Sequence, residues 1–143
     1  MFKLRHVGIV VSDAERSLKF WEGALGFRIQ KDMVESGSYI DNFLSLADVK
    51  VRTIKMVNEE GEMIELLEFE SHPELPDLTR KVSQIGCSHV AFTVEDLDKT
   101  FGDLVRLGVH FNSEPQLSPD GFVKVTYCKD PDGCLVELVE ELK

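Results

Sequence analysis

Four residues of this sequence have the chemistry to hold a divalent cation: His6, Glu65, His89 and Glu137. Each histidine opens an apolar run, HVGIVVSD at 6–13 and HVAFTVED at 89–96, and each glutamate interrupts one, in MIELLEF and in LVELVEE. A carboxylate in the middle of an apolar strand is costly to bury unless something pairs with it. Taken singly, each histidine fits a plain hydrogen bond to a neighbouring glutamate. The same residue types recur at matching places in both halves of the chain, and two imidazoles with two carboxylates form a donor set for a divalent metal. His72 and His110 have no such matched partners. Tyr39, Asn42 and Arg52 are candidate substrate contacts.

The elements that must position these groups repeat as well. His6 pairs with His89 and Asp13 with Asp96 at an offset of 83 residues, while Glu65 pairs with Glu137 and Glu68 with Glu140 at an offset of 72. Each half reads as a strand, a helix and three further strands. Alternation over 6–11 puts His6, Gly8 and Val10 on one face and the bulky Val7, Ile9 and Val11 on the other, which must meet the helix. The same parity puts His89, Ala91 and Thr93 together, and places Glu65 and Glu137 on the histidine side of the last strands. Ser12 with Glu15 forms a capping-box pattern, Ala14, Leu18, Trp21 and Leu25 follow at helical spacing, and Gly26 stands at the C-terminal cap. A second strand is expected over 27–34. Hairpins are expected around NEEG and DPDG.

Histidine and glutamate are 59 residues apart in the first half and 48 in the second, so the first half holds eleven more. Most of them fall in ESGSYIDNFLSLAD, 35–48, expected to be a long loop that serves either as a lid over the site or as a surface excursion. The domain reading is one domain over 1–143: a first module over about 1–71, a linker over about 72–81 that carries two prolines, and a second module over about 82–143.

Composition narrows the function classes. Hydrophobic residues at 43% and charged residues at 29% describe an ordinary soluble globular protein, without a run long enough to cross a bilayer or a cleavable export segment. A cytoplasmic location is expected. A net charge of −10 without a basic block argues against nucleic acid and anionic membranes as partners. Cys87, Cys128 and Cys134 form no CxxC pair and are read as reduced thiols.

HVGIVVSDAERSLKFWEGALGF, MIELLEF, SHVAFTVEDLD and CKDPDGCLVELVEE together resemble the vicinal oxygen chelate superfamily, which includes glyoxalase I, methylmalonyl-CoA epimerase, extradiol dioxygenases and bleomycin- and fosfomycin-resistance proteins. The resemblance covers nearly the whole chain. It implies an α+β fold of two βαβββ modules forming a half-open barrel around one divalent metal ion (Ni, Co, Zn, Mn or Fe). His6 and Glu65 would come from the first module and His89 and Glu137 from the second, the set that strand parity selects independently.

Four protein ligands on an octahedral ion leave two adjacent positions, which suit a small-molecule substrate with two vicinal oxygens and stabilise an enediolate. Similarity to glyoxalase I makes Glu137 the base, with Glu65 as a possible second base. The function expected is thus a metal-dependent lyase or isomerase of the lactoylglutathione lyase type. The alternative is a methylmalonyl-CoA or other acyl-CoA epimerase, which IELLE at 64–68 resembles. Many glutathione-dependent glyoxalases carry an arginine after the first histidine, where this chain has Val10 and Val11. An extradiol dioxygenase needs three open positions, which a fourth protein ligand opposes. A non-enzymatic small-molecule-binding protein is the remaining reading. A homodimer is expected, since exposed sheet edges invite pairing.

Overall fold

The first strand is shorter than its apolar pattern: β1 runs Val7–Val10, and His6 stands just ahead of it. In the computed structural model, which describes residues 1–142, the chain divides into two units, Met1–Pro76 and Asp77–Lys143. The architecture is mixed α+β, as expected, with one sheet in each unit.

In the first unit β1 leads into α1, Ala14–Leu18, continued by a π-helical turn over Lys19–Ala24. The cap differs from the capping box expected of Ser12. Asp13 is the extended N-cap residue, and its carboxylate accepts from the Arg16 amide at 3.1 Å. Gly26 follows the helix with φ +79, the left-handed conformation that suits glycine at this position. β2 spans Arg28–Ser36, β3 Lys50–Val57 and β4 Met63–Phe69, giving the sheet order β1-β4-β3-β2. β1 lies parallel to β4, with Val7 opposite Ile64 and Gly8 opposite Glu65. The core gathers on the helix side: Ile9, Val11, Trp21, Ile54, Met56, Ile64 and Leu66 are buried. Phe20 and Phe27 meet Trp21 edge to face.

The expected long loop is largely a helix, α2, Ser38–Leu44. Its buried Ile40 packs with Val49 and Val51, and Leu44, Leu67 and Phe69 close around them. Strand alternation puts Val51, Leu67 and Phe69 on the face of the sheet that carries Glu65. The inserted residues therefore cover one end of that face, and a short apolar core of their own holds them there. The Asp41 carboxylate fastens the return, accepting from the amides of Val49 at 2.8 Å and Asp48 at 3.2 Å.

The second unit repeats the plan with β5, His89–Thr93, α3, Leu97–Arg106, β8, Val123–Lys129, and β9, Leu135–Glu141. In place of one long second strand it has two short pieces, β6, His110–Phe111, and β7, Gln116–Leu117, each paired with β8. Pro115 lies in the gap, and a proline has no amide to give a sheet ladder. Asp96 caps α3 as Asp13 caps α1, accepting from the Lys99 amide at 2.9 Å. In the DPDG turn, the buried Asp130 accepts from the amides of Asp132 and Cys134, which closes the hairpin ahead of β9. All three cysteines are free, and burial pushes the Cys128 and Cys134 thiols up to about 12. Among the described residues no helix is long and apolar enough to cross a membrane.

Candidate functional site

The last strand of each unit carries two glutamates three residues apart. Alternation sends them to opposite faces, and the two faces do different work. On the helix side, Glu68 accepts from the Ala14 amide at 2.5 Å and Glu140 from the Leu97 amide at 2.8 Å. Each carboxylate thus satisfies an orphan donor at the first turn of the helix that follows the unit's first strand. On the opposite face stand Glu65 and Glu137.

In the first unit the structure brings Glu65 Oε1 to 3.7 Å from His6 Nε2. In the second, Glu137 Oε2 lies 3.0 Å from His89 Nε2. The registers are equivalent, with Glu65 opposite Gly8 and Glu137 opposite Ala91. A residue with little or no side chain beside each glutamate leaves room above the sheet. The glutamates are more enclosed than their partners, with side chains 14% and 20% exposed against 27% and 31% for the histidines. Both members of each pair therefore keep part of their side chain accessible to solvent.

The surroundings of the two pairs differ. Opposite Glu65 on β3 stands Lys55, and opposite Glu137 on β8 stands Tyr127. The Tyr127 hydroxyl lies 3.3 Å from His89 Nε2 and is hydrogen-bonded to Glu137, and its ring meets the imidazole edge to face. Burial, followed by the charge of Glu137 and the bond to it, raises the Tyr127 hydroxyl above its ordinary value. On the far side of the ring, His89 Nδ1 is 2.6 Å from Ser88 Oγ. Sequence reasoning missed both residues. Their signal was present: Ser88 precedes the histidine, and Tyr127 lies ten residues before Glu137 in the adjacent hairpin strand, on the same parity.

The three candidate substrate contacts lie on two elements of the first unit, α2 and β3. Tyr39 and Asn42 lie on α2, both exposed, with the Tyr39 ring edge-on to Phe43. Arg52 is not brought to Glu65. It pairs in register with Glu68, on the helix side of the sheet. There its guanidinium spans Asp32, with bonds of 3.0 and 2.7 Å, and Glu15 at 2.7 Å. The guanidinium holds the Asp32 carboxyl below the ordinary aspartate range, and the two acids raise Arg52 further. The second unit has the same device, since Lys124 pairs in register with Glu140 and bonds Asp98 on the helix at 2.7 Å. Arg52 therefore belongs to a duplicated strand-to-helix tie. His72 bonds the neighbouring Ser71, and His110 is exposed on β6.

The donor chemistry fits a divalent cation. Two donors in neighbouring positions of an octahedral ion, each bonded at about 2.1 Å, stand about 3.0 Å apart, close to the separation in the His89–Glu137 pair. Each unit offers two donors, and among the described residues no group of three or more histidine, cysteine, aspartate or glutamate side chains gathers as if around an ion.

Known proteins share this plan. A crystal structure of a glyoxalase family protein from Bacillus cereus superposes with a TM-score of 0.89 at 27% identity, covering 100% of this chain and 96% of that one. YwkD of Bacillus subtilis is 32% identical over 96% of each chain. The lactoylglutathione lyase of Schizosaccharomyces pombe is 25% identical over 98% of this chain, which spans 48% of that enzyme. The sequence profile of one family matches residues 3–138, nearly end to end, and the chain belongs to it: the Glyoxalase/Bleomycin resistance protein/Dioxygenase superfamily.

Proposed function

We propose that this protein is a metal-dependent lyase or isomerase of the glyoxalase I type, acting on a small substrate that presents two vicinal oxygens. The observation that carries this reading is the duplicated histidine–glutamate pair, set at the same register in both units and opened by Gly8 and Ala91. His6, Glu65, His89 and Glu137 are the residues that would hold the ion. When bound, a divalent cation supplies Lewis acidity toward a substrate carbonyl and its neighbouring oxygen.

The chain's own residues supply the rest. Glu137 takes the proton from the carbon next to the carbonyl and returns it to the adjacent carbon, a general-base and general-acid role that needs a carboxylate within reach of both atoms. Glu65 is the second candidate for that role. Helix α2, docked on the Glu65 face, limits the approach of water and of large groups from that end. The likeness to a lactoylglutathione lyase supports the reaction class. Val10 and Val11, where many glutathione-dependent glyoxalases carry an arginine, favour a different thiol conjugate or an acyl thioester. The acyl-CoA epimerase reading stands second on that observation and on IELLE.

The test begins with protein purified without chelator. Stoichiometric divalent metal is expected, together with solvent-proton exchange at the carbon next to a carbonyl in a panel of hemithioacetals and 2-methyl acyl thioesters. Nickel, cobalt, zinc and manganese would be compared. Protein that takes up none of these ions overturns the reading, and the member of the panel that exchanges separates lyase from epimerase.

A further inference from the structure

The two histidine–glutamate pairs are not equally supported, and the second has hydroxyls on both sides of its imidazole. His89 Nε2 faces Glu137 at 3.0 Å and the Tyr127 hydroxyl at 3.3 Å, while Nδ1 faces Ser88 Oγ at 2.6 Å. At the corresponding places in the first unit the sequence has Arg5 before His6 and Lys55 opposite Glu65.

A neutral imidazole carries one proton on either of two nitrogens. With the proton on Nε2, the ring donates to Glu137, and the Ser88 hydroxyl donates into Nδ1. A cation at Nε2 needs the lone pair there, so the proton must sit on Nδ1 and Ser88 Oγ must accept it. A serine hydroxyl serves in both arrangements, because it is donor and acceptor at once. Tyr127 complements it from the other side. Its single proton has the Glu137 carboxylate as acceptor in either tautomer, and its ring edge fixes the imidazole plane.

We propose that Ser88 and Tyr127 are positioning residues for the second pair, keeping His89 and Glu137 in place while the imidazole changes tautomer to take a divalent cation. This rests on the metal-dependent reading above. The first pair, flanked by Arg5 and Lys55, has no equivalent hydroxyls at these positions, so the second pair is the better prepared half.

The experiment compares S88A, S88T and Y127F with the unaltered chain, all labelled with 15N histidine. Long-range 1H–15N spectra of the metal-free protein report which nitrogen of His89 carries the proton. Cobalt(II) titration followed by visible absorption reports affinity. S88A and Y127F are expected to move the His89 ring nitrogens and to weaken cobalt binding by about tenfold each. S88T is expected to restore both readouts, and the far-ultraviolet circular dichroism should be unchanged throughout. Y127F, which removes one oxygen, carries the test alone should S88A fail to fold. Unmoved His89 signals together with unaltered cobalt affinity overturn the positioning roles while leaving the metal reading intact. An unaltered chain that takes up no cobalt overturns both.

Discussion

The two units share one scaffold and differ in what surrounds their polar pairs. Four devices occur twice: an aspartate caps the helix, a strand glutamate binds the helix's first amide, a basic residue on the neighbouring strand ties to an acid on the helix, and a histidine meets a glutamate above a glycine or alanine. The first three lie on the helix side and hold each unit's layers together. On the other face the copies diverge. The first unit has Lys55 opposite its glutamate and a docked helix at one end, and the second has Tyr127 and Ser88 around its histidine. The devices that hold the layers recur in both units, whereas on the polar face only the histidine–glutamate pair does, and its neighbours differ.

The largest effect that would break this comparison concerns the two glutamates. Glu137→Gln should retain bound metal, since an amide oxygen still coordinates. It should lose about 10²–10⁴-fold in turnover, the range for removal of a general base. Glu65→Gln should lose less under the proposed assignment, in which Glu137 is the base and Glu65 a ligand. Steady-state kinetics with metal analysis of both variants decides the order. Full turnover in Glu137→Gln would place the base elsewhere, and a reversed order would assign it to the first unit.

Next in size are the helix-side cores, where the units should behave alike. Leu66 and Leu138 occupy matching places in β4 and β9 and are both buried. Leu66→Ala and Leu138→Ala should each cost about 2–5 kcal/mol. Urea unfolding read by circular dichroism measures both, and Trp21, the one tryptophan of the chain, reports the first unit by fluorescence. A cost below about 1 kcal/mol in one variant would show that its core is built differently.

The strand glutamates on the helix side make a smaller contribution. Glu68→Gln and Glu140→Gln each weaken a carboxylate bond to a helix amide, and each should cost about 1 kcal/mol. Equal costs would show one device used twice. A much larger cost at Glu68 would show that α1, whose α-helical part covers only Ala14–Leu18 before the π-helical turn, depends on its cap more than α3 does.

Much of this plan was legible because it rests on parity and repetition. A period of two puts His6 with Gly8 and, separately, Glu65 with Leu67; the bulky alternate positions, which must meet the helix, match the two faces, and the recurrence of the pattern identified the second copy. The exact ends of elements were not legible. Ser12 and Asp13 are both competent caps, and the choice fell to the residue whose extended backbone aims its carboxylate at the Arg16 amide. Helix α2 was hidden because its seven residues are too few for a periodic signal, and it is Val49, Val51, Leu67 and Phe69, distant in sequence, that hold it in place. The partners of Arg52 were hidden for a related reason. From sequence an arginine on a strand does not reveal its partners; the register puts Glu68 beside it and Asp32 and Glu15 within reach.

The smallest expected effect tests the one tie that has no copy. Arg52 and Lys124 each bond an acid on the helix, but only Arg52 also grips a second acid, Asp32 on β2. That grip lowers the Asp32 carboxyl in the folded chain below its unfolded value of about 3.9. A depressed carboxyl contributes stability that is complete above the unfolded value and is lost as pH falls through the folded one. The first unit should therefore lose stability below about pH 4 in part through Asp32. Asp32→Asn should flatten that acid dependence and change little at neutral pH, because the side chain is a third exposed and solvent screens the pair. Urea midpoints read by Trp21 fluorescence between pH 7 and pH 3 provide the comparison. An identical acid slope in Asp32→Asn would assign the loss to other carboxylates, and the duplicated tie to Glu15 would then carry the hold of Arg52 on the sheet.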